Sequence, residues 1–506
     1  MSYKKFFTLL ALFLALAVPG WAETQTGNIG TNGTKYAFDT ATGALTVTGG
    51  EFTLAQWQAV IGTEKTIQPG TIRSIAFRAD DSGNNPKLTG SASHMFFDPK
   101  DPADSDSGNN YDQLTKLDLS GLDTANVTDM NWMFSDCSRL TTLDVSRFDT
   151  SKVTDMHCMF SGCTSLTTLD VSGFDTSNVT DMSWMFDKCS SLTTLDVSRF
   201  DTSKVTDMAC MFSACSSLTT LDVSGFDTSS VTDMSWMFNE CSSLTTLDVS
   251  RFDTSKVTDM NCMFYDCSRL ETLDVSRFDT SKVTDMLSMF SDCSRLTTLD
   301  VSGFNTASVG MGTDDDNPGS MTCMFYGCSR LTTLDVSRFD TSSVKDMSGM
   351  FKGCSKLKTL DLSGFDTSNV KLMGERKAVN NENETYGMFE DCSSLTVLDL
   401  RSFDTSKVTD MTTMFKGCSK LETLILGDKF VTTGVKKMDE IFSGCTSLTK
   451  VYASPDAFDR SVFDGTPFQG KTPEPYVVKS SGGGCDAGLG GAVLLAAAGL
   501  IVLRRK

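Results

Sequence analysis

The sequence predicts an α/β repeat solenoid, and two observations carry that prediction. Cysteines recur every 26 residues from Cys137 to Cys293, and the series continues to Cys445 with two longer gaps. Each interval also contains the pattern L-x-x-L-x-L or a close variant of it. A period of about 20–29 residues with this core is typical of units that stack along one axis. The 506 residues are therefore expected to form mainly one elongated array rather than several globular domains.

The repeat at residues 166–189 shows how each unit is expected to fold. Leu169 and Val171 alternate with polar residues, which predicts a short strand with an inward apolar side. Asp175, Thr176 and Ser177 then supply turn chemistry. The apolar residues that follow are spaced as on one face of a short helix: Val179, Met182, Met185, Phe186 and Cys189. This order predicts a leucine-rich-repeat right-handed superhelix, with a parallel concave sheet, short helices on the convex side and a 26-residue period.

Changes in the pattern predict the domain boundaries. The regular repeats occupy residues 114–453, and eroded copies extend the solenoid to residues 71–454. Residues 23–70 alternate like a hairpin and are expected to form an N-terminal β cap. Residues 455–481 contain prolines and are expected to be a linker.

The N-terminal end predicts export. In residues 1–22, Lys4 and Lys5 precede an apolar run and a small-residue cleavage site, which is the pattern of a secretory signal peptide.

The C-terminal end, residues 482–506, predicts attachment to the cell envelope. Gly482, Gly483, Gly484 and Cys485 precede a short apolar span and the basic end Arg-Arg-Lys. One interpretation is a single membrane anchor. The other is a sorting signal, because the order of these parts resembles GlyGly-CTERM and Synergist-CTERM tails. That resemblance implies processing near the glycine–cysteine motif and display at the cell surface.

The wording of the repeats resembles a known family. The pattern LDVSxFDTSxVTDMxxMFxxCSSL, over residues 114–453, is similar to the BspA-like leucine-rich-repeat surface proteins of bacteria. The resemblance implies a secreted or surface protein that acts in adhesion or interaction, and it does not supply a ligand.

Twelve cysteines end the predicted helices, one per coil. A small apolar thiol at an inward position is interpreted as core filler, with disulfides between adjacent coils as the alternative. The residues are Cys137, Cys163, Cys189, Cys215, Cys241, Cys267, Cys293, Cys328, Cys354, Cys392, Cys418 and Cys445. A second set, Cys158, Cys210, Cys262 and Cys323, shares one slot with Trp132, Trp184 and Trp236, which indicates duplication of a 52-residue unit.

An aspartate lies between the two inward residues of each strand and is predicted to face outward on the concave sheet. Neighbouring carboxylates on adjacent strands repel each other, so the column is interpreted either as a solubilising stripe or as a surface for calcium or basic protein segments. The column consists of Asp118, Asp144, Asp170, Asp196, Asp222, Asp248, Asp274, Asp300, Asp335, Asp361 and Asp399.

The composition and motifs also limit the function. A net charge of -20 and a pI near 4.5 argue against a nucleic-acid partner. The two histidines, His94 and His157, are far apart in sequence, and no catalytic or metal-ligand motif is present. We therefore expect no enzyme activity and no cofactor, with calcium as a candidate ion only. The expected partners are host or bacterial surface proteins or glycoproteins, and the membrane through the tail. A structural envelope coat is the alternative.

Two insertions lie in one slot of the repeat, between the strand turn and the predicted helix. They occupy residues 309–321 and 370–388. Because the coils stack, we expect both insertions at the same edge of the array, where inserted loops often make contacts.

Overall fold

The computed structural model describes residues 23–62, 65–97, 99–101, 104–109, 111–311, 321–374, 386–454, 457–458 and 460–476. The chain divides into two compact units, the first ending at Lys204 and the second beginning at Val205. The predicted signal peptide, the predicted sorting tail and most of both insertions lie outside the described residues.

The first unit begins with strands that cover its first coil. β1, β2 and β3 form an antiparallel meander, and β3 then pairs in parallel with β5, which pairs with β9. A second sheet has the order β10-β6-β4, and β7 pairs with β8. The strands are β1 (Thr24–Asn28), β2 (Lys35–Asp39), β3 (Ala44–Thr48), β4 (Glu51–Thr53), β5 (Ser74–Arg78), β6 (Lys87–Ser91), β7 (Pro99–Asp101), β8 (Asp104–Asn109), β9 (Lys116–Asp118) and β10 (Asp123–Asp129).

A short helix closes this N-terminal region. α1 (Leu54–Gln58) has a capping box, in which Thr53 and Gln56 each bond the other's backbone N–H. Its Trp57 is buried, and the indole Nε1–H donates to the carbonyl of Met95 at 3.0 Å. Short 3-10 turns occur at Pro69–Thr71 and at Arg460–Phe463.

Each regular coil has four parts, which are named here by their sequence. In the coil that ends at Cys163 they are the LDVS segment (143–146), the FDTS turn (148–151), the TDM segment (154–156) and the MFxxC segment (159–163). Coils stack on one another within each unit, and hydrogen bonds join residues about one repeat apart.

The MFxxC segments are consecutive turns, so the prediction of short helices is wrong. The N–H of Cys158 donates to Ser183 of the next coil (3.0 Å) and that of Phe160 to Met185 (2.9 Å), whereas the N–H of Ser161 donates back to Cys158 (3.1 Å). An α-helix would need each of these N–H groups for the carbonyl four residues earlier in the same segment. Each coil therefore forms backbone hydrogen bonds to the next coil in place of the hydrogen bonds of an α-helix.

This alternation depends on backbone positions with positive φ. Two such positions occur in most of the MFxxC regions: φ is 59° at Trp184 and 56° at Lys188, and 53° at Cys158 and 71° at Gly162. L-residues in the left-handed region do not continue a right-handed helix. The apolar spacing imitates a helix because the turns also return a side chain to the core every three or four residues.

The parallel sheet predicted along the LDVS segments forms only in parts of the described chain. It forms at β5 and β9 in the first unit. A separate sheet in the second unit has the order β11-β12-β13 and consists of β11 (Val397–Leu400), β12 (Thr423–Leu426) and β13 (Lys450–Tyr452). In the coils between them, the described LDVS segments have no strand pairing. In these segments the serine N–H donates to the aspartate two residues earlier, as Ser146 does to Asp144 at 3.0 Å, and the N–H two residues after Asp118 and Asp399 donates in the same way where the chain does form strands. The coils are joined instead at the TDM segments, where Asp155 forms parallel bridges with Asp129 and Asp181.

Buried threonines of the FDTS turns tie successive coils together. Thr150 is 1% exposed, and its Oγ1 donates to the Asp175 carbonyl at 2.9 Å and accepts from the Asp175 N–H at 2.8 Å. Thr176 forms the same two bonds with Asp201, at 3.0 and 2.8 Å. A hydroxyl can donate and accept at once, so one side chain satisfies both backbone groups of the next turn.

A column of phenylalanines forms the centre of the core. In the first unit, the rings of Phe134 and Phe160 are 5.5 Å apart and 6° from parallel, and those of Phe160 and Phe186 are 5.7 Å apart. The second unit repeats this stacking, for example between Phe238 and Phe264 at 5.8 Å. All these rings are fully buried. No coil could cover its own ring, so burial of this apolar area requires a neighbour.

The segment predicted as a linker packs against the last coil. Within the described residues after 456, Phe458, Phe463 and Phe468 are buried, and the ring of Phe463 is 4.9 Å from that of Phe442. Glu474 forms a parallel bridge with Tyr452. This part of residues 455–481 therefore covers the end of the stack, because the apolar face of a terminal coil would otherwise contact water.

The threonine column gives a stability prediction. We expect Thr150→Val to lower the free energy of unfolding by about 2–4 kcal/mol, because it leaves the N–H and carbonyl of Asp175 without their partner. The control Thr168→Val lies at an exposed position and should change stability by less than about 0.5 kcal/mol. Denaturant unfolding of the two variants checks this, and equal losses would contradict it.

Candidate binding surface

The LDVS aspartates, which were predicted as a binding column, face solvent but are held in local turns. All but Asp118 and Asp399 are exposed, and those two are half-buried. The Oδ1 of Asp144 accepts from the N–H of Ser146 at 3.0 Å and from its hydroxyl at 2.6 Å. The serine hydroxyl and N–H hold the pKa of Asp144 and of its counterpart Asp170 below the usual value.

The ends of this column have cationic partners. Arg78 forms an ion pair with Asp118 and, with Ser120, lowers the pKa of Asp118 to about 2. Arg401 contacts Asp399 through two of its nitrogens, with Nη2 2.7 Å from Oδ2. Serine hydrogen bonds and these arginines relieve the repulsion that the sequence predicts. The carboxylates therefore act first as turn-forming groups, and they also present negative charge to solvent.

The FDTS aspartates form a second column of the same kind. Asp149 accepts from the N–H of Ser151 at 3.0 Å and from its hydroxyl at 2.6 Å, which lowers the pKa of the carboxyl. Asp201, Asp253 and Asp279 also have lowered pKa values from the serine two residues on.

The aspartates of the TDM segments form a third column, in which the pKa values of two members are raised and not lowered. Asp155 and Asp259 are half-buried, and burial raises the pKa of each, with a further contribution from a neighbouring aspartate of the same column. The N–H of the residue two positions on still donates to each carboxylate, at 2.9 Å in both cases. This column was not predicted from the sequence. The signal was present, as an aspartate directly before the first methionine of successive coils.

The structure brings the two histidines, which are distant in sequence, to one tryptophan. His94 stacks on Trp132 with ring centroids 5.6 Å apart, and His157 meets the same ring edge-on at 5.5 Å. His157 Nδ1 lies 2.7 Å from the Ser183 hydroxyl. Burial lowers the pKa of His94, opposed by the carboxylate of Asp129.

The twelve coil-ending cysteines all lie in the core. The Sγ of Cys163 donates to the carbonyl of Phe134 at 3.2 Å, and Cys267 bonds Phe238 in the same way at 3.2 Å. Burial raises the pKa of Cys163 and raises that of Cys241 to about 12. A thiol that stays protonated and bonded to the preceding coil acts as a packing group.

Within the described residues, no group of His, Cys, Asp or Glu side chains has the arrangement of a metal site. No helix in the described part of the chain has the length and hydropathy that a membrane crossing needs.

The coils, the buried columns and the outward carboxylates define a repeat protein of stacked coils. Five overlapping or adjoining segments match the family model described as "Mycoplasma protein of unknown function, DUF285", at residues 107–220, 167–246, 211–317, 314–381 and 383–458. These segments span more than half of the chain, which therefore belongs to this family.

Comparison with other known proteins adds little. No curated protein matches the chain. A similar solved structure is the crystal structure of the TLR13-ssRNA13 complex, with 17% identity and a TM-score of 0.21. The match covers 79% of this chain and 49% of that one, so the chain spans about half of its length. A TM-score this low does not establish a shared fold.

The TDM column gives a pH-dependent prediction. Because the folded-state pKa of Asp259 is raised, its ionised form costs stability, and wild type gains stability as the pH falls through that pKa towards the ordinary value. We expect Asp259→Asn to stabilise the protein at pH 7 by up to about 1 kcal/mol, comparable to the repulsion between two nearby charges. The advantage should shrink as the pH approaches about 4.

Asp253→Asn is the matched control, since the pKa of Asp253 is lowered and the sign reverses. This variant should lose stability at neutral pH, and the loss should fade as the pH drops below the ordinary aspartate pKa. Thermal unfolding between pH 3 and 8 measures both. The assignment is wrong if the two variants show the same pH dependence.

The cysteines give a reactivity prediction. Iodoacetamide should not modify Cys163, Cys241 or Cys267 in the native protein, because burial keeps each thiol protonated. Cys323 is partly exposed and should be modified earlier. Peptide mass spectrometry before and after unfolding tests this, and disulfide-linked peptides from adjacent coils would contradict it.

Proposed function

We propose that this chain is an exported leucine-rich-repeat protein of the BspA-like kind, displayed at the cell surface, that binds other macromolecules through the outward side of its coils. Export and display are supported by the signal-peptide pattern of residues 1–22 and by the sorting-tail pattern of residues 482–506. The wording of the repeats and membership of the DUF285 family support a repeat-surface role. In this proposal the coils wind as a right-handed superhelix.

One observation carries the binding role: the inward side chains of each described coil are committed to structure, while the outward ones repeat. The threonine, cysteine and phenylalanine columns bond or stack coil to coil. Outside them, the LDVS carboxylates recur at successive coils and contact solvent. Repetition of one group extends a surface, whereas catalysis needs unlike groups that converge on one point. A non-catalytic binding protein is therefore the function we infer.

The charge of this surface indicates the kind of partner. The net charge of -20 favours basic segments of host or bacterial surface proteins or glycoproteins and disfavours nucleic acids. Asp144 and Asp196 each bond the serine two residues on through Oδ1, so a basic side chain or calcium can approach Oδ2. The tail would hold the protein at the membrane.

A structural envelope coat is the second candidate. Near-identical coils, such as those ending at Cys241 and Cys267, support it, because a coat needs regular stacking and no dedicated ligand.

An affinity pull-down with the full chain separates these candidates. We expect a saturable partner from surface extracts of host or bacterial cells, and at least a tenfold loss of capture in the triple variant Asp144→Asn, Asp170→Asn and Asp196→Asn, which removes three outward charges.

The matched control carries Asp149→Asn, Asp175→Asn and Asp201→Asn, which change the same charge at the FDTS turns and should retain capture. Runs with calcium and with a chelator test the ion. Equal capture by both triple variants would exclude the LDVS column as the binding surface, and an absence of any partner would favour the coat.

A further inference from the structure

One thiol outside the column of coil-ending cysteines lies beside an imidazole. The Sγ of Cys158 is 3.3 Å from Nε2 of His157, the residue before it in sequence. The other ring nitrogen of this histidine contacts the next coil, since His157 Nδ1 lies 2.7 Å from the Ser183 hydroxyl. A nucleophile, a base and a group that orients the base therefore form one chain of contacts.

The hydrogen bonds around the imidazole determine which of its nitrogens carries the proton. The Ser183 hydroxyl donates to Asp181 Oδ1 at 2.5 Å, so its oxygen accepts from the Nδ1–H of His157. A neutral imidazole carries one N–H, which leaves Nε2 as the acceptor that faces the Cys158 thiol. Asp181 Oδ1 lies 3.9 Å from Nδ1 and stabilises the imidazolium that forms when Nε2 takes the thiol proton.

Two further contacts fix the position of the imidazole. The His157 N–H donates to Asp155 Oδ1 at 2.9 Å, and the ring meets Trp132 edge-on with centroids 5.5 Å apart. The His157 side chain is 28% exposed, whereas Cys158 is 3% exposed. Because the imidazole contacts both the thiol and solvent, a proton taken from the nearly buried thiol can pass on to water.

The repeats contain two thiols in the same slot whose preceding residue is not a histidine. Cys210 and Cys262 are also 3% exposed, with φ of 55° and 52° against 53° at Cys158. The residues that precede them are Ala209 and Asn261, respectively. The three thiols therefore have equal exposure and closely similar backbone conformation, and one of them has an imidazole as its sequence neighbour. Burial alone cannot explain a difference in their reactivity.

We propose that Cys158 is a modification site whose thiol exchanges with low-molecular-weight disulfides. His157 Nε2 takes the thiol proton, and the Cys158 thiolate attacks one sulfur of the small disulfide. The S–S bond of the small molecule breaks as the new bond to Sγ forms, and the departing thiolate receives the proton from Nε2. Cys158 is oxidised and the small disulfide is reduced, so the exchange needs no further oxidant. It is independent of the binding surface proposed above, because it uses no LDVS carboxylate.

Incubation of the full native chain with bis(2-hydroxyethyl) disulfide tests the proposal, with peptide mass spectrometry to measure the rate at each cysteine. We expect Cys158 to form the mixed disulfide at least tenfold faster than Cys210 and Cys262, because an imidazole accepts its proton. His157→Ala and His157→Asn introduce the residues that precede the other two thiols, and each should lower the rate at Cys158 to theirs. Loss of packing alone would act in the opposite direction, since it exposes the thiol.

A reciprocal variant tests the imidazole without removing a side chain. Ala209→His should place the ring beside Cys210, where the next coil supplies the same orienting pair, since the Ser235 hydroxyl donates to Asp233 Oδ1 at 2.6 Å. We expect this variant to raise the rate at Cys210 at least tenfold. The rate at Cys262 should stay unchanged and serves as the internal control.

Three outcomes would overturn the proposal. The three thiols could react at equal rates in the wild type, or His157→Ala could leave the rate at Cys158 unchanged. Cys158 could also stay unmodified in the native chain and react only after unfolding, which would make it a packing group like the coil-ending cysteines.

Discussion

The structure depends on one constraint: a coil that cannot satisfy its own buried backbone groups must satisfy them on the next coil. The MFxxC segments meet this constraint by sending alternate N–H groups across, as from Phe160 to Met185 at 2.9 Å. The FDTS turns meet it through the threonine hydroxyl, which bonds both backbone groups of the next turn. An unpaired buried amide or carbonyl costs about 1–3 kcal/mol, so these columns fix which coils are adjacent and in what register. The apolar columns add burial, which alone does not specify register.

The same constraint explains why one residue type has three electrostatic roles. Asp144 and Asp149 lie at exposed corners, where a serine two residues on stabilises the charged form. Asp155 lies where the coils are bonded to each other, so it is half-buried next to its own counterparts, and its pKa rises. All three accept a backbone N–H from two residues on, at 2.9–3.0 Å. The corner needs a side-chain oxygen that accepts this N–H, which Asn305 also supplies at 3.1 Å, and where aspartate supplies it the nearness of the coil-to-coil bonds sets the cost of its charge.

The repeat and the inward residues could be predicted from the sequence because they follow from periodicity alone. The helix prediction was wrong because Val179, Met182, Met185 and Phe186 have helical spacing, while the positive φ at Trp184 has no sequence signal in an indole. A weak signal existed elsewhere, since Gly349 occupies the equivalent slot of a later coil. The TDM column could not be predicted because spacing does not show which segments of adjacent coils are bonded. The packing of Phe463 on Phe442 could not be predicted because it depends on where the stack ends. The spacing of residues along the chain does not show which residue accepts each backbone hydrogen bond.

The insertions show how the fold separates structure from variation. In regular coils of the second unit the threonine bonds a turn 25 residues on, as Thr254 does to Asp279 at 3.0 Å. Thr306 forms the same bond with Asp340, 34 residues on, at 2.9 Å, and Thr367 with Asp404, 37 residues on, at 2.9 Å. The column therefore continues unchanged past both insertions. Loop closure becomes only slightly more costly with added length, so a coil can accept extra residues between its FDTS turn and its MFxxC segment while the bonds that set its register persist. A protein built in this way can change what it presents to partners without changing how its coils hold together.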